Sequence, residues 1–295
     1  MKVLLTGAAG FIGSHVARAL VREGHEVHAL VLPEDDTWRL QDIVPSLHFI
    51  RGNILDPSFV LAPASFELGL HLAWHVEPGK YLHASENKDW VEASVRLARA
   101  LQEAGCRRFV AAGTCFEYAP GKPPQDESYP TAPSTPYAES KLELYHALQS
   151  LDLELAWARF FYLYGPCEDP RRLVPVVINS LLRNQQAKLV PGDRVRDFLH
   201  VEDLASGVCA VAGSRLTGAV NVASGVPVTV REIALKIGEE LKRVDLVKIG
   251  ALPYPPDEPT DKLADNTKLR EGTAWKPRYT LEEGLRQTID WWKNR

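Results

Sequence analysis

Tyr137 and Lys141 stand four residues apart in "TPYAESK", so on a helix they share one face. A phenol has an ordinary pKa of about 10 and is a poor acid–base group at neutral pH. An ammonium one turn away favours the phenolate and is expected to pull that value down. Tyrosine and lysine at this spacing are usually just a surface pair, and a third residue strengthens the signal. Thr114, in "GTCFEY", lies just past an apolar run that reads as a sheet strand, where a hydroxyl can orient a substrate oxygen. Thr114, Tyr137 and Lys141 are therefore the candidate catalytic set.

The N-terminus supplies what would make this set an oxidoreductase site. "TGAAGFIG", from Thr6 to Gly13, places glycines at 7, 10 and 13 directly behind the apolar Val3-Leu4-Leu5. Gly7 permits a tight turn, Gly10 a close approach to a pyrophosphate, and Gly13 the packing of helix on sheet. A helix beginning near Ile12 then offers free N–H groups and the positive end of its dipole to the anion. Gly7, Ala9, Gly10, Phe11, Ile12 and Gly13 are the expected cofactor contacts. The plainer reading is a strand–helix turn that happens to be rich in glycine; its place at the head of a parallel α/β chain favours the dinucleotide.

The choice between NAD and NADP stays open. The second strand ends in Leu30-Val31-Leu32-Pro33, followed by Glu34-Asp35-Asp36 and then Trp38-Arg39. An acid at the strand tip would favour NAD and an arginine NADP, and neither occupies the tip. The acidic trio would repel a 2′-phosphate, whereas Arg39 would attract one. Asn53 and Ile54, after the third strand, are candidates for the adenine edge. Leu72 and Ala73, in "HLAW", end a strand beside the cofactor.

The elements that must position these residues alternate. Val3–Leu5, "EVHALVL", "LHFI", "ELGLHLA" and "RRFVAAG" read as strands, and Ile12 to Arg22 and Asp89 to Glu103 as helices. Continuous apolar strands alternating with helices predict a parallel sheet covered on both faces. The expected fold class is α/β: a doubly wound parallel sheet with a smaller C-terminal lobe. Residues 1–165 are expected to form the dinucleotide-binding domain, to which segments of about 195–225 return, and 166–295 mainly the smaller lobe. The proline-rich "YGPCEDPRRLVP" and "ALPYPPDEPTDKL" mark that shift.

The net charge of −4 over 295 residues gives no basic surface for nucleic acid, and no apolar run is long enough for a membrane span. "MKVLLTG" does not read as a signal peptide. Cys106, Cys115, Cys167 and Cys209 show no metal-site spacing, so reduced cytoplasmic thiols are expected. His71, His75 and His83 lack an acidic partner at ligand spacing, so no metal is expected there.

In order along the chain, "TGAAGFIGSHV", "HLAW", "GTCFEY", "YAESK", "RFFYLYGP", "RDFLHVEDLA", "NVASG" and "LEEGLRQTIDWW" resemble the extended short-chain dehydrogenase/reductases that modify nucleotide sugars. The resemblance covers nearly the whole chain. It implies a Rossmann-type domain with a smaller C-terminal substrate-binding lobe, a homodimer through a four-helix bundle, a nucleotide-sugar substrate, and Tyr137 and Lys141 at the nicotinamide end of the cofactor, where Lys141 also holds the ribose. It also implies that Arg196 meets the nucleotide diphosphate, that Leu173, Val174 and Pro175 line the nucleotide, and that Leu189 and Val190 flank its base. Sugar-nucleotide 4,6-dehydratases of this family carry Asp-Glu after the threonine; Cys115 and Phe116 stand here, beside the substrate, and argue against dehydration. Tyr162 replaces a phosphate-contacting asparagine, Ala119 replaces a glycine, and His75 is placed to touch the sugar. The "CFEY" spelling is similar to reductases and epimerases of deoxy-4-keto sugars. Three readings follow: an NAD(P)H-consuming keto-sugar reductase, favoured slightly; an epimerase with tightly held NAD; and a non-catalytic dinucleotide-binding regulator.

Overall fold

A computed structural model of the protein describes residues 1–62, 65–255 and 258–295. Pro256 and Asp257 of the second proline-rich stretch lie outside the described residues. The first half runs β1 (Lys2–Thr6), α1 (Phe11–Arg22), β2 (Glu26–Val31), β3 (Leu47–Arg51), β4 (Leu68–His71), α2 (Asn87–Glu103), β5 (Arg108–Thr114), α3 (Pro136–Gln149) and β6 (Glu154–Phe160). The second half adds β7 (Tyr162–Tyr164), α4 (Leu173–Leu182), β8 (Ala187–Lys188), β9 (Val195–His200), α5 (Val201–Gly213), β10 (Gly218–Val222) and β11 (Pro227–Thr229). It closes with α6 (Val230–Glu240), β12 (Val247–Lys248), α7 (Thr267–Thr273) and α8 (Leu281–Lys293).

Seven parallel strands form the main sheet in the order β3-β2-β1-β4-β5-β6-β10. Apolar clusters cover both faces. One packs α1 and α5 against residues such as Val3, Leu5, Val110 and Val220; the other packs α2 and α3 against Leu4, Phe109 and Trp157. Burial on both faces is why these strands read as apolar runs without alternation. Strand order reverses between β1 and β4, and in such sheets ligands bind in the crevice beyond the strand ends at that point.

The segment 195–225 is divided. β9 is the middle strand of a small sheet, parallel to β7 and antiparallel to β11, whereas α5 packs on α1 and β10 joins β6. Around the small sheet, α4, α6 and α8 bury a separate core including Val177, Ile178, Ile233 and Ile289. Among the described residues, no helix is long and apolar enough to cross a membrane.

Candidate active site

The glycine turn is built as its spacing requires. Gly7 has φ +73°, the left-handed region, and a Cβ on it would stand 2.8 Å from the Ala73 backbone nitrogen. A Cβ on Gly13 would stand 2.0 Å from the Gly7 carbonyl oxygen, so only glycine lets α1 sit this close on the turn. Gly10 caps the helix, and its N–H donates to the Gly7 carbonyl at 3.0 Å. The first turn of α1 holds no acid. Its leading N–H groups, those of Phe11, Ile12 and Gly13, have no intrahelical acceptor. The cradle fits a pyrophosphate, which side chains at these positions would block.

Strand β4 stops at His71, two residues before the apolar run ends, because Leu72 and Ala73 leave the ladder. Their N–H groups donate to Thr6 Oγ at 3.2 and 3.1 Å. The Thr6 hydroxyl faces His71 Nδ1 at 2.8 Å, His71 Nε2 faces Ser94 Oγ at 2.8 Å, and Ser94 donates to the Trp90 carbonyl. One assignment satisfies the chain: Thr6 donates to Nδ1, and neutral His71 donates from Nε2. Burial pushes His71 down to about 3, and the nearby Lys141 charge adds to it. His71 is thus a brace that fixes the β1–β4 crevice.

Thr114 ends β5, and Tyr137 enters at the first turn of α3, after Pro136 and the Thr135 N-cap. The Tyr137 ring is buried, edge-on to Tyr81 at 4.9 Å and Trp74 at 6.4 Å. Burial drives its phenol well above the usual tyrosine range, and a hydrogen bond with the Thr114 side chain opposes this only in part. Lys141 Nζ lies 3.8 Å over the Trp74 ring and donates to the Ala112 carbonyl at 2.9 Å. Burial lowers this lysine to about 7, against a partial counter-effect from Glu117. The expected direction of the tyrosine shift is therefore corrected. Desolvation dominates, and it favours the neutral phenol of Tyr137.

A residue overlooked in the sequence holds Thr114 in place. Glu117 accepts the Thr114 N–H at 2.7 Å, both contacts of the Trp157 indole at 3.0 Å, and Arg159 Nε at 2.7 Å. The carboxylate is wholly buried and the guanidinium 3% exposed. Thr114 and Glu117 form a reciprocal capping box around a single 3-10 turn. Its T-x-x-E spacing was available as a signal. Trp74 and Tyr81 were a second omission; Asn87 ties them together by accepting from the Trp74 indole and donating to the Tyr81 carbonyl.

Cys115 and Phe116 follow Thr114 directly. Cys115 is buried, and desolvation pushes its thiol up to about 12, so it is neither acid–base group nor nucleophile near neutrality. Phe116 meets Tyr162 edge-on at 6.2 Å, and the Arg196 guanidinium lies 5.1 Å over the same tyrosine. These four residues form one wall, joined by Lys262. The Lys262 amine is 4% exposed, donates to the Tyr118 carbonyl at 3.0 Å, and is lowered by burial. No local pattern announces Lys262, since it reaches this wall from far along the chain through a backbone bridge to Arg196. Arg196 itself is clamped: it donates to Glu258 at 2.6 Å and to the carbonyls of Val195, Pro259 and Thr260. His75 is half-buried just past β4. Leu173 and Val174 open α4, whose cap lacks a side-chain hydrogen bond; the Val174 side chain lies in the lobe core with Leu189. At this end α4 offers backbone N–H groups rather than the Val174 side chain.

Arg39 stacks on Trp38 at 4.4 Å and donates to the carbonyls of Cys167 and Ala9, which ties it to the glycine turn. Asp35 turns back to accept the Leu32 N–H at 3.0 Å, and this sets a carboxylate at the tip of β2. Asn53 Oδ1 accepts the Leu55 N–H in a local turn, and Ile54 is buried with its carbonyl held by Arg96.

The chain is similar to known proteins along its whole length. The chain is 29% identical to a UDP-glucose 4-epimerase of Mycolicibacterium smegmatis, over all of this chain and 99% of the relative. It is 28% identical to a dTDP-glucose 4,6-dehydratase of Streptomyces niveus, over all of this chain and 93% of the relative. The solved structure of a UDP-N-acetylglucosamine 4-epimerase from Methanobrevibacter ruminantium, in complex with UDP-N-acetylmuramic acid, superposes with a TM-score of 0.89. It is 25% identical, with 99% of this chain and 98% of that one covered. A model of the NAD dependent epimerase/dehydratase family matches residues 3–223, and the chain belongs to that family.

Proposed function

We propose that this enzyme reduces a keto group on a nucleotide-linked sugar, with the phenol of Tyr137 as the acid. The observation that carries the reading is the pairing of a buried, neutral Tyr137 with Thr114, next to a Cys115–Phe116 step that holds no carboxylate. The glycine turn and the first turn of α1 would hold the dinucleotide pyrophosphate. Arg39, Asn53 and Ile54 would meet its adenosine end, Leu72 and Ala73 its middle, and Tyr137 and Lys141 its nicotinamide ribose. When bound, the dinucleotide supplies the hydride chemistry.

The chain's own part is proton handling. As negative charge grows on the sugar carbonyl oxygen, Thr114 donates a hydrogen bond to it and Tyr137 gives up its proton. A phenol held above its usual range keeps that proton until an oxyanion takes it. Lys141, one turn along α3, supplies positive charge to the phenolate that remains. His75, Phe116, Tyr162 and Arg196 would seat the sugar and its diphosphate. The packed pair α2 and α3 supports a homodimer in which two such pairs form a four-helix bundle.

Epimerisation with tightly held NAD is the second reading, supported by relatives that carry that activity and by the same catalytic set. Stopped-flow hydride transfer with a 4-keto nucleotide sugar tests the first. Tyr137→Phe keeps the ring and its packing and should lower turnover by about a hundred- to ten-thousandfold. Near-normal transfer in that variant would assign the acid to another group. Protein purified with one equivalent of NAD, and inert with added NADH, would favour the epimerase.

A further inference from the structure

Among the described residues, one group of histidine and acidic side chains has the spacing of a metal site, and it lies at the end of the sheet opposite the catalytic set. Glu26 opens β2, His28 is two residues further on the same face, and His48 is the in-register neighbour of His28 on the edge strand β3. We propose that Glu26, His28 and His48 bind a zinc-class divalent cation through two imidazole nitrogens and one carboxylate oxygen. Their ligand atoms already lie within 4.8 Å of one another, and His28 Nε2 stands 2.7 Å from Glu26 Oε1. Ligands on a tetrahedral zinc at about 2.0–2.1 Å stand about 3.3 Å apart, so small side-chain rotations close the set. Those rotations are available, because Glu26 and His48 are exposed, whereas His28 is half-buried and edge-on to Phe66 at 5.2 Å. The two imidazoles stack at 4.7 Å, so both rings already face one another across the strand pair.

The donor set is one carboxylate and two imidazoles, which suits zinc, nickel or copper and not the oxygen-only preference of magnesium. Three protein ligands leave a fourth position to water at the open sheet edge. Lys2, 3.9 Å from the same Glu26 oxygen, is the competing cation and would have to swing aside.

Titrating tag-free protein with zinc alone, at about pH 7.5 where free imidazole is mostly neutral, tests the site. One equivalent should bind and raise the thermal midpoint, and excess magnesium should not displace it. His48→Ala, on an exposed side chain, should weaken zinc binding by about a hundredfold and abolish the thermal shift. Glu26→Gln should do so to a smaller degree. Turnover of zinc-free His48→Ala should equal that of zinc-free wild type, separating this outcome from any failure of the catalytic reading. Undiminished zinc uptake by His48→Ala, equal displacement by magnesium, or no saturable binding by the wild type would each overturn the proposal.

Discussion

Arg159 and Arg196 are both buried and each holds a carboxylate at hydrogen-bond distance, yet the two pairs are built for different duties. Arg159 on β6 and Glu117 after β5 belong to the rigid sheet, and the carboxylate takes donors from Thr114, Trp157 and Arg159 with no exposure to water. Arg196 on β9 reaches Glu258, which is 20% exposed and comes from an irregular segment. The remaining Arg196 donors go to backbone carbonyls of that segment and to that of Val195. A carboxylate saturated inside the sheet has nothing to exchange for. A carboxylate near solvent, on a loop, can yield its arginine to another anion.

The largest expected effect breaks the inner pair. Glu117→Ala leaves a buried guanidinium without its counter-charge and should cost about 3–5 kcal/mol of stability in urea titration. Turnover should fall too, because the Thr114 N–H and the turn that aims its hydroxyl lose their acceptor. A loss below about 1 kcal/mol would mean that the inner pair is as replaceable as a surface pair, and the contrast would collapse.

Arg196→Ala probes the outer pair through its ligand. If this arginine meets the diphosphate, nucleotide-sugar affinity should drop by about 1.5–3 kcal/mol, the worth of a charge-assisted hydrogen bond. Dinucleotide affinity, measured by titration on the same folded variant, should hold. Equal losses for both ligands would make Arg196 a second piece of scaffold and remove it from the substrate site.

The contrast also marks how far the sequence could be read. The glycine turn was legible because its residues are adjacent and each glycine has a steric reason, now visible as the contacts a Cβ would make. Tyr137 and Lys141 were legible as a helix pair, but the sign of the tyrosine shift was not, since desolvation by Trp74 and Tyr81 depends on tertiary packing. The ends of β2 and β4 were read one and two residues too long because the strand periodicity cannot see Asp35 or Thr6 capturing backbone N–H groups. Glu117 lay inside a quoted motif with capping-box spacing and could have been found. Lys262 and Glu258 could not, because nothing short-range links them to Cys115 or Arg196.

Glu258→Gln carries the smallest expected effect and separates the two duties most sharply. The amide still offers Arg196 an oxygen acceptor, so the guanidinium keeps its place among the carbonyls of Val195, Pro259 and Thr260. What disappears is one negative charge that would compete with a diphosphate for the same cation. Stability should therefore fall by less than the about 3–5 kcal/mol lost when a buried pair is broken, because Arg196 keeps its other acceptors. Nucleotide-sugar binding should tighten by up to about tenfold, or 1.4 kcal/mol. The gain should shrink as salt screens the partly exposed charge. Calorimetric titration at low and high salt reads all of this on one variant. Weaker binding at both would mean that the Glu258 charge positions Arg196 instead of competing for it, and the outer pair would then be a positioning device like the inner one.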